Sequence, residues 1–418
     1  MLADFAAPAG LAPRASSPDR RGYVAGRWSA SELAAIVARL AERGSAALAT
    51  VPLARRLAVW SEAMEAFLDP ESDERRRALV ALVATSRLSP EGLCEALLVM
   101  LGGAGESAAR ALAARLPEPS LRSPAAVVLA GNVPALAVQS LLPALLLGRP
   151  LLLKSASDEP LFAPALVAAL AAREPSLGEA FAALAWRGGD AELEAAAFGG
   201  VERVLAYGGG AAIGSLRERI GERLVAHGPR ASVALVGRDA DLADAARGLA
   251  RDVALFDQRG CLSVQAVYTD AAPRELAELL ACALALEHAR LPPGPLDPGL
   301  AAEVQQLRGV ARMAGDLAGD LALAQGTVVV SRDAEFRPVP GLRTVRVHVV
   351  ATLDGAIAAL RPWRGRLQGA ALAGESAVAL GDRLRDELGL ARVAPAGELQ
   401  AVEAGWASGG IDPLAALA

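Results

Sequence analysis

The chain reads as an α/β protein built on two doubly wound, mostly parallel sheets, with a helical region ahead of them. Three observations predict this. Beyond Pro117, short apolar segments alternate with helical ones, the rhythm of crossover helices packed on a parallel sheet. The strands so found, in a chain of 418 residues, are too many for one sheet of ordinary size. From Ser29 to about Leu116, by contrast, Ala, Leu, Glu and Arg recur at helical spacing, broken near Asp69-Pro70 and Gly102-Gly103.

In chain order, residues 1–28 are rich in Pro, Gly, Ala and Arg and predict a loosely packed arm. The predicted strands are Ala125–Ala130, Leu151–Lys154, Ala182–Trp186, Val201–Tyr207, Ser232–Val236, Leu262–Thr269, Thr327–Val330 and Val345–Val350. Helices are expected over Leu136–Leu147, Glu159–Ala172 and Asp241–Phe256. The domain reading is an arm (1–28), a helical region with a nucleotide-binding domain (29–230), a catalytic domain (231–395) and a C-terminal segment (396–418). The last is apolar enough to serve as an oligomer contact. No internal repeat is evident.

Composition narrows the chemistry. A hydrophobic fraction of 53% supports large cores, and a net charge of −5 with scattered basic residues argues against nucleic acid as a partner. The three cysteines (Cys94, Cys261, Cys282) and three histidines (His227, His288, His348) lie far apart, so neither a disulfide framework nor a metal site is expected. Unpaired thiols suit a reducing compartment, the cytoplasm. No secretory leader pattern is seen, and the greasiest stretch, Leu141–Leu153, is broken by Pro143, Gly148, Arg149 and Pro150, so no membrane span is expected.

Four places carry candidate chemistry. Cys261 follows Gly260 where a helical stretch gives way to a strand; loops there hold nucleophiles in the open, although a buried inert thiol is the commoner fate of a free cysteine. Asn132, in Gly131-Asn132-Val133-Pro134 after the first strand, offers a side-chain amide to an oxyanion or serves as a turn residue. Lys154 ends an apolar strand and is the only lysine among many arginines, which suggests a site that needs a compact ammonium. Tyr207-Gly208-Gly209-Gly210 opens a helix after a strand, a turn that lets phosphate approach backbone N–H groups or is simply flexible.

Taken together, these segments resemble the aldehyde dehydrogenase superfamily, and more narrowly the acyl-CoA reductase (LuxC-type) family typified by the fatty-acid reductase subunit of bacterial luminescence. The resemblance rests on Gly131-Asn132-Val133-Pro134, Ser140-Leu141, Leu152-Leu153-Lys154-Ser155, Trp186-Arg187-Gly188-Gly189-Asp190, Tyr207-Gly208-Gly209 and Phe256-Asp257-Gln258-Arg259-Gly260-Cys261-Leu262-Ser263. It implies an aldehyde dehydrogenase-like fold and NADP(H)-dependent reduction of an acyl-CoA or acyl-carrier-protein thioester to an aldehyde, with NAD(H) the alternative cofactor. By the same resemblance Cys261 carries the acyl group and Asn132 with the Cys261 amide holds the oxyanion. Lys154, Ser155, Gly209 and Gly214 would meet the cofactor. The family also implies a homo-oligomer and an acyl-transferring partner. Hydrolytic relatives carry a water-activating glutamate where this chain has Ala226, beside His227, which is either an acid–base group or a structural residue. That departure favours reduction over oxidation to a free acid. No secure match for the glutamate that holds the nicotinamide ribose is found near Phe336-Arg337-Pro338.

Overall fold

The apolar segments become strands of two large sheets in a computed structural model that describes residues 1–118, 122–319 and 321–418. The N-terminal 28 residues supply β1 (Phe5–Ala6), β2 (Ala15–Pro18) and β3 (Val24–Arg27). Then come β4 (Ala125–Val128), β5 (Leu151–Ser155), β6 (Phe181–Ala185), β7 (Arg203–Tyr207) and β8 (Leu224–His227). The second half holds β9 (Ala231–Val236), β10 (Val264–Thr269), β11 (Leu317–Ala318), β12 (Thr327–Ser331), β13 (Thr344–Val349), β14 (Leu367–Ala373) and β15 (Arg392–Pro395). The first sheet has the order β1-β6-β5-β4-β7-β8 and the second β11-β12-β13-β10-β9-β14-β15, while β2 and β3 form a separate hairpin. Among the described residues, the two large sheets have antiparallel pairing only between β1 and β6 and between β11 and β12.

Both faces of each sheet are covered, which is why the inner strands are apolar throughout. Along β4, Ala125 and Val127 face a core shared with the N-terminal helices, whereas Ala126 faces Trp28 and Phe198 on the other side. Along β9, Ala234 and Val236 point one way, Val233 and Leu235 the other. The helix over Ala30–Arg39 starts where the pattern predicts, through a capping box between Ser29 and Glu32. One stretch, 90–113, is apolar and long enough by composition to cross a membrane. It consists of two helices, Pro90–Gly102 and Glu106–Ala113, whose Leu93, Leu97, Leu101 and Leu112 are buried in the first core.

Several expectations need correction. Residues 1–28 are not a loose arm: β1 extends the first sheet through Phe5↔Leu184 and Ala6↔Ala183, and Trp28 is buried. Strands β8, β14 and β15 were not anticipated. Gly and Ala dominate β14 and Pro395 ends β15, residues with little strand preference that only the neighbouring strands recruit. The C-terminal residues pack back on their own chain. Arg149 Nη1 donates to the Leu417 carbonyl at 2.8 Å, Ala404 N to the Gly103 carbonyl at 2.7 Å, and Leu414 and Leu417 are buried.

This topology creates a site. The first sheet reverses direction between β4 and β7, and the loops leaving their carboxyl ends diverge there, the usual ligand crevice of an open α/β sheet. Only Gly228, Pro229 and Arg230 separate β8 from β9. The carboxyl ends of the first sheet therefore face the amino ends of the second, where β9, β10 and β14 begin.

Candidate active site

A cavity of about 960 Å³ occupies that junction. One wall comes from the first sheet (Asn132, Lys154, Tyr207, Gly209, Ala226) and the facing wall from strand starts of the second (Arg230, Cys261, Gln368). Of the residues singled out from the sequence, Cys261, Asn132, Lys154 and Gly209 are brought together in this one cavity. Ser155 and Gly214 are not among its lining residues. Alternation along β5 explains the first: Lys154 faces the cavity, so Ser155, fully buried, faces away. On the helix over Gly210–Ile220, Ala212, Ser215, Leu216 and Arg219 share the cavity face at three- and four-residue spacing, and Gly214 lies off that face.

The loop carrying Cys261 is held in an uncommon conformation. Phe256, Asp257 and Gln258 have φ of 56°, 51° and 59°, a left-handed run that non-glycine residues adopt only where surrounding contacts impose it. Those contacts are present. Gln258 Nε2 donates to the carbonyls of Val264 (2.8 Å) and Thr344 (2.7 Å), and its Oε1 accepts from Thr344 N (2.8 Å). Asp257 accepts from Arg343 Nη2 at 2.7 Å and from Gly294 N at 2.9 Å. The turn is thus made by these three residues. Gly260 serves instead for close approach, since a Cβ there would stand 2.9 Å from Gln400 Oε1.

The Cys261 side chain reaches the cavity, yet most of it is packed among protein atoms, and loss of hydration pushes its thiol from 9.0 up to about 11. The N–H groups of Cys261 and Leu262 and the charge of Arg230 pull the other way. Asn132 Nδ2 donates to the Arg259 carbonyl at 2.7 Å; an amide nitrogen has two hydrogens, so a second remains for an oxyanion near the sulfur. Tyr207 neighbours the thiol closely enough for the sulfur's charge to raise the phenol's pKa, after burial as the larger cause. Its hydroxyl lies 3.4 Å from Ser140 Oγ, and its ring stacks on His227 at 4.4 Å. Burial, then Arg230, bring His227 down to about 4. It is therefore a neutral imidazole at ordinary pH, with a buried Nδ1 that has no partner.

The other end of the cavity suits a dinucleotide. The helix over Gly210–Ile220 begins at Gly209 with no side-chain cap, and no heavy atom within 4 Å meets a Cβ built at Gly209 or Gly210. Its first N–H groups are thus available to a pyrophosphate. Lys154 is 6% exposed, has no hydrogen-bond partner and sits 5.8 Å from the Trp186 ring. A buried ammonium with no hydrogen-bond partner among the described residues can receive an anion. No carboxylate from the segment around Phe336 lines the cavity: Phe336 is buried against Trp363, and Arg337 pairs with Asp333. Among the described residues no His, Cys, Asp and Glu cluster could hold a metal. Sequence reading missed Glu194, Arg219, Gln139 and Gln368, all on the cavity wall; the fold brings them there from four separate elements, and no local pattern marks them.

A six-stranded sheet whose carboxyl ends face a second, seven-stranded sheet with a cysteine on the loop before one of its inner strands is the aldehyde dehydrogenase-like fold. Solved structures agree on the fold. Methylmalonate-semialdehyde dehydrogenase from Oceanimonas doudoroffii superposes with a TM-score of 0.72 at 14% identity, covering 99% of this chain and 96% of that one. Aldehyde dehydrogenase C from Pseudomonas syringae, solved with NAD+ and octanal, gives 0.70 at 15% identity, covering 94% and 85%. The chain belongs to the acyl-CoA reductase (LuxC) family, whose model it matches over residues 121–418. It is 30% identical over 146 residues to the long-chain acyl-protein thioester reductase of Photorhabdus laumondii, and 29% identical over 146 residues to that of Vibrio harveyi. These matches take in 34% of this chain and about a third of each relative's length (30% and 31%).

Proposed function

We propose that the protein reduces an activated acyl group, a thioester of coenzyme A or of a carrier protein, to an aldehyde with NADPH, through an acyl thioester on Cys261. The observation that carries this reading is the pairing of Cys261 with Ala226 across one cavity: a nucleophile is present, and a methyl group stands where hydrolytic relatives place a base. The family's relatives, named as acyl-protein thioester reductases, support the same substrate class.

In the first half-reaction the Cys261 sulfur attacks the donor carbonyl. The donor's C–S bond breaks, its thiolate takes the proton that Cys261 gives up, and the acyl group remains on Cys261. The Cys261 N–H and the free hydrogen of Asn132 Nδ2 stabilise the oxyanion. Lys154 would hold the adenosine ribose of a nicotinamide dinucleotide and the N–H groups beyond Gly209 its pyrophosphate, and the dinucleotide would supply a hydride to the thioester carbonyl carbon. Collapse of the resulting tetrahedral adduct breaks the bond to Cys261, releases aldehyde, and leaves a thiolate that takes up one proton. Ala226 provides no carboxylate to activate water, and His227, brought down to about 4, is only a weak base, so water attacks the acyl group slowly and reduction competes well.

Intact-mass analysis after exposure to a panel of acyl-CoAs tests this directly. The expected result is an acyl adduct at Cys261 that disappears, with aldehyde release, on adding NADPH. Turnover by Cys261→Ala at the wild-type rate would overturn the mechanism.

A further inference from the structure

The Lys154 end of the cavity contains a second feature, resting on the reading of that end as the adenosine-ribose site. A carboxylate beside the ribose is the common way a dinucleotide site selects NAD, because it accepts from the 2′-hydroxyl and repels a 2′-phosphate. A candidate carboxylate is present in Glu194, which lines the cavity and is 6% exposed. One of its oxygens is hydrogen-bonded and the other is held by charge alone, without hydrogen-bond geometry. Oε1 accepts from Gly189 N at 2.8 Å, and Oε2 lies 2.7 Å from Arg219 Nη2.

The geometry points to Arg219 as the residue that selects a 2′-phosphorylated nucleotide, by locking Glu194 away from the ribose and offering its own guanidinium beside Lys154. Arg219 comes from the cavity face of the helix over Gly210–Ile220 and spends Nε on the Ser215 carbonyl at 3.2 Å. Its side chain is 33% exposed, so the guanidinium edge stays open to a ligand. Lys154 contributes an ammonium with no hydrogen-bond partner, and Glu194 lies close enough to act on its charge. Lys154 and Arg219 are two cations against one buried carboxylate, Glu194, with Asp158 exposed on the rim of the same cavity, and the free donors here are the Lys154 ammonium and the open edge of Arg219. Such a set matches a phosphate monoester, which accepts at three oxygens, and matches poorly a hydroxyl that seeks an acceptor. Burial depresses the Lys154 pKa, and an arriving dianion would raise it again.

The test is calorimetric binding of adenosine 2′,5′-bisphosphate and of 5′-AMP to the full chain, with no acyl substrate. The wild type is expected to bind the bisphosphate at least about tenfold more tightly than AMP, as a charge-assisted contact gives. Arg219→Ala is expected to weaken the bisphosphate about tenfold and to leave AMP within about twofold, which also shows the site is folded. Equal affinities in the wild type, or equal loss of both ligands in the variant, would overturn the assignment. Neither ligand reaches Cys261, so this outcome and that of acyl capture at Cys261 are independent.

Discussion

The reactivity of Cys261 provides the sharpest check on the site. Its thiol stands at about 11 instead of 9.0, which is about 2.7 kcal/mol against ionisation at 1.36 kcal/mol per tenfold. At pH 7.5 this leaves roughly one thiolate in three thousand, about a hundredfold fewer than an ordinary thiol. Each thiolate is in turn more nucleophilic, by about tenfold for a Brønsted slope near 0.45. The net expectation is alkylation by iodoacetamide about tenfold slower than a model peptide thiol at pH 7.5, rising with pH and half-maximal near 11. Arg230→Gln removes a charge that favours the thiolate and should slow the reaction further at fixed pH. The assay is the pH dependence of Cys261 labelling by mass spectrometry. Half-titration below about pH 8.5 would refute the reasoning, because the two loop N–H groups and Arg230 would then outweigh burial.

Ala226→Glu should introduce a base facing the acyl-enzyme and raise release of free acid from acyl-CoA, without NADPH, on the order of a hundredfold; an acyl-enzyme that forms and still resists water would sink that idea. Gln258→Leu strips three buried backbone groups of Val264 and Thr344 of their partners and should destabilise the fold by about 4 kcal/mol in denaturant melts, a loss under about 1 kcal/mol arguing that the turn holds itself. Asp252, buried, has its carboxyl pushed up to about 7, against the N–H bonds from Gly397 and Leu399. Since the folded value is raised, its contribution is complete below the unfolded value of 3.8 and is lost as pH rises through 7. Wild type should therefore lose up to about 4 kcal/mol more than Asp252→Asn between pH 4 and 7.5, and parallel pH–stability curves for the two proteins would contradict this.

The fold class was legible because both sheets are covered on both faces, so strands such as Leu151–Leu153 and Val233–Val236 stand out as apolar runs between helices. Where strands are short or made of Gly and Ala, as in β1 and β14, the pattern fails and pairing alone creates them. At the site, Lys154 was conspicuous as the one lysine, and period-two alternation would have separated it from Ser155. The left-handed run at Phe256, Asp257 and Gln258 had no signal, because its cause is Thr344 and Arg343, 86 residues away in each pairing. The same holds for Glu194 and Arg219, which meet from two different helices.

Two features of the cavity act on the lifetime of an acyl-Cys261 thioester, and their magnitudes decide which governs it. A sulfur whose thiol sits near 11 is a poorer leaving group than an ordinary one, which slows attack by water by about tenfold. The lack of a carboxylate at Ala226 withholds general-base catalysis worth about 10²–10⁴. The missing base therefore dominates, and the leaving-group effect is secondary. Hydride delivery needs no base, so it escapes the larger penalty and meets only the smaller one when the adduct expels Cys261. In the proposed mechanism that asymmetry would bias the site toward aldehyde, and it would follow from one methyl group placed across the cavity from one buried sulfur.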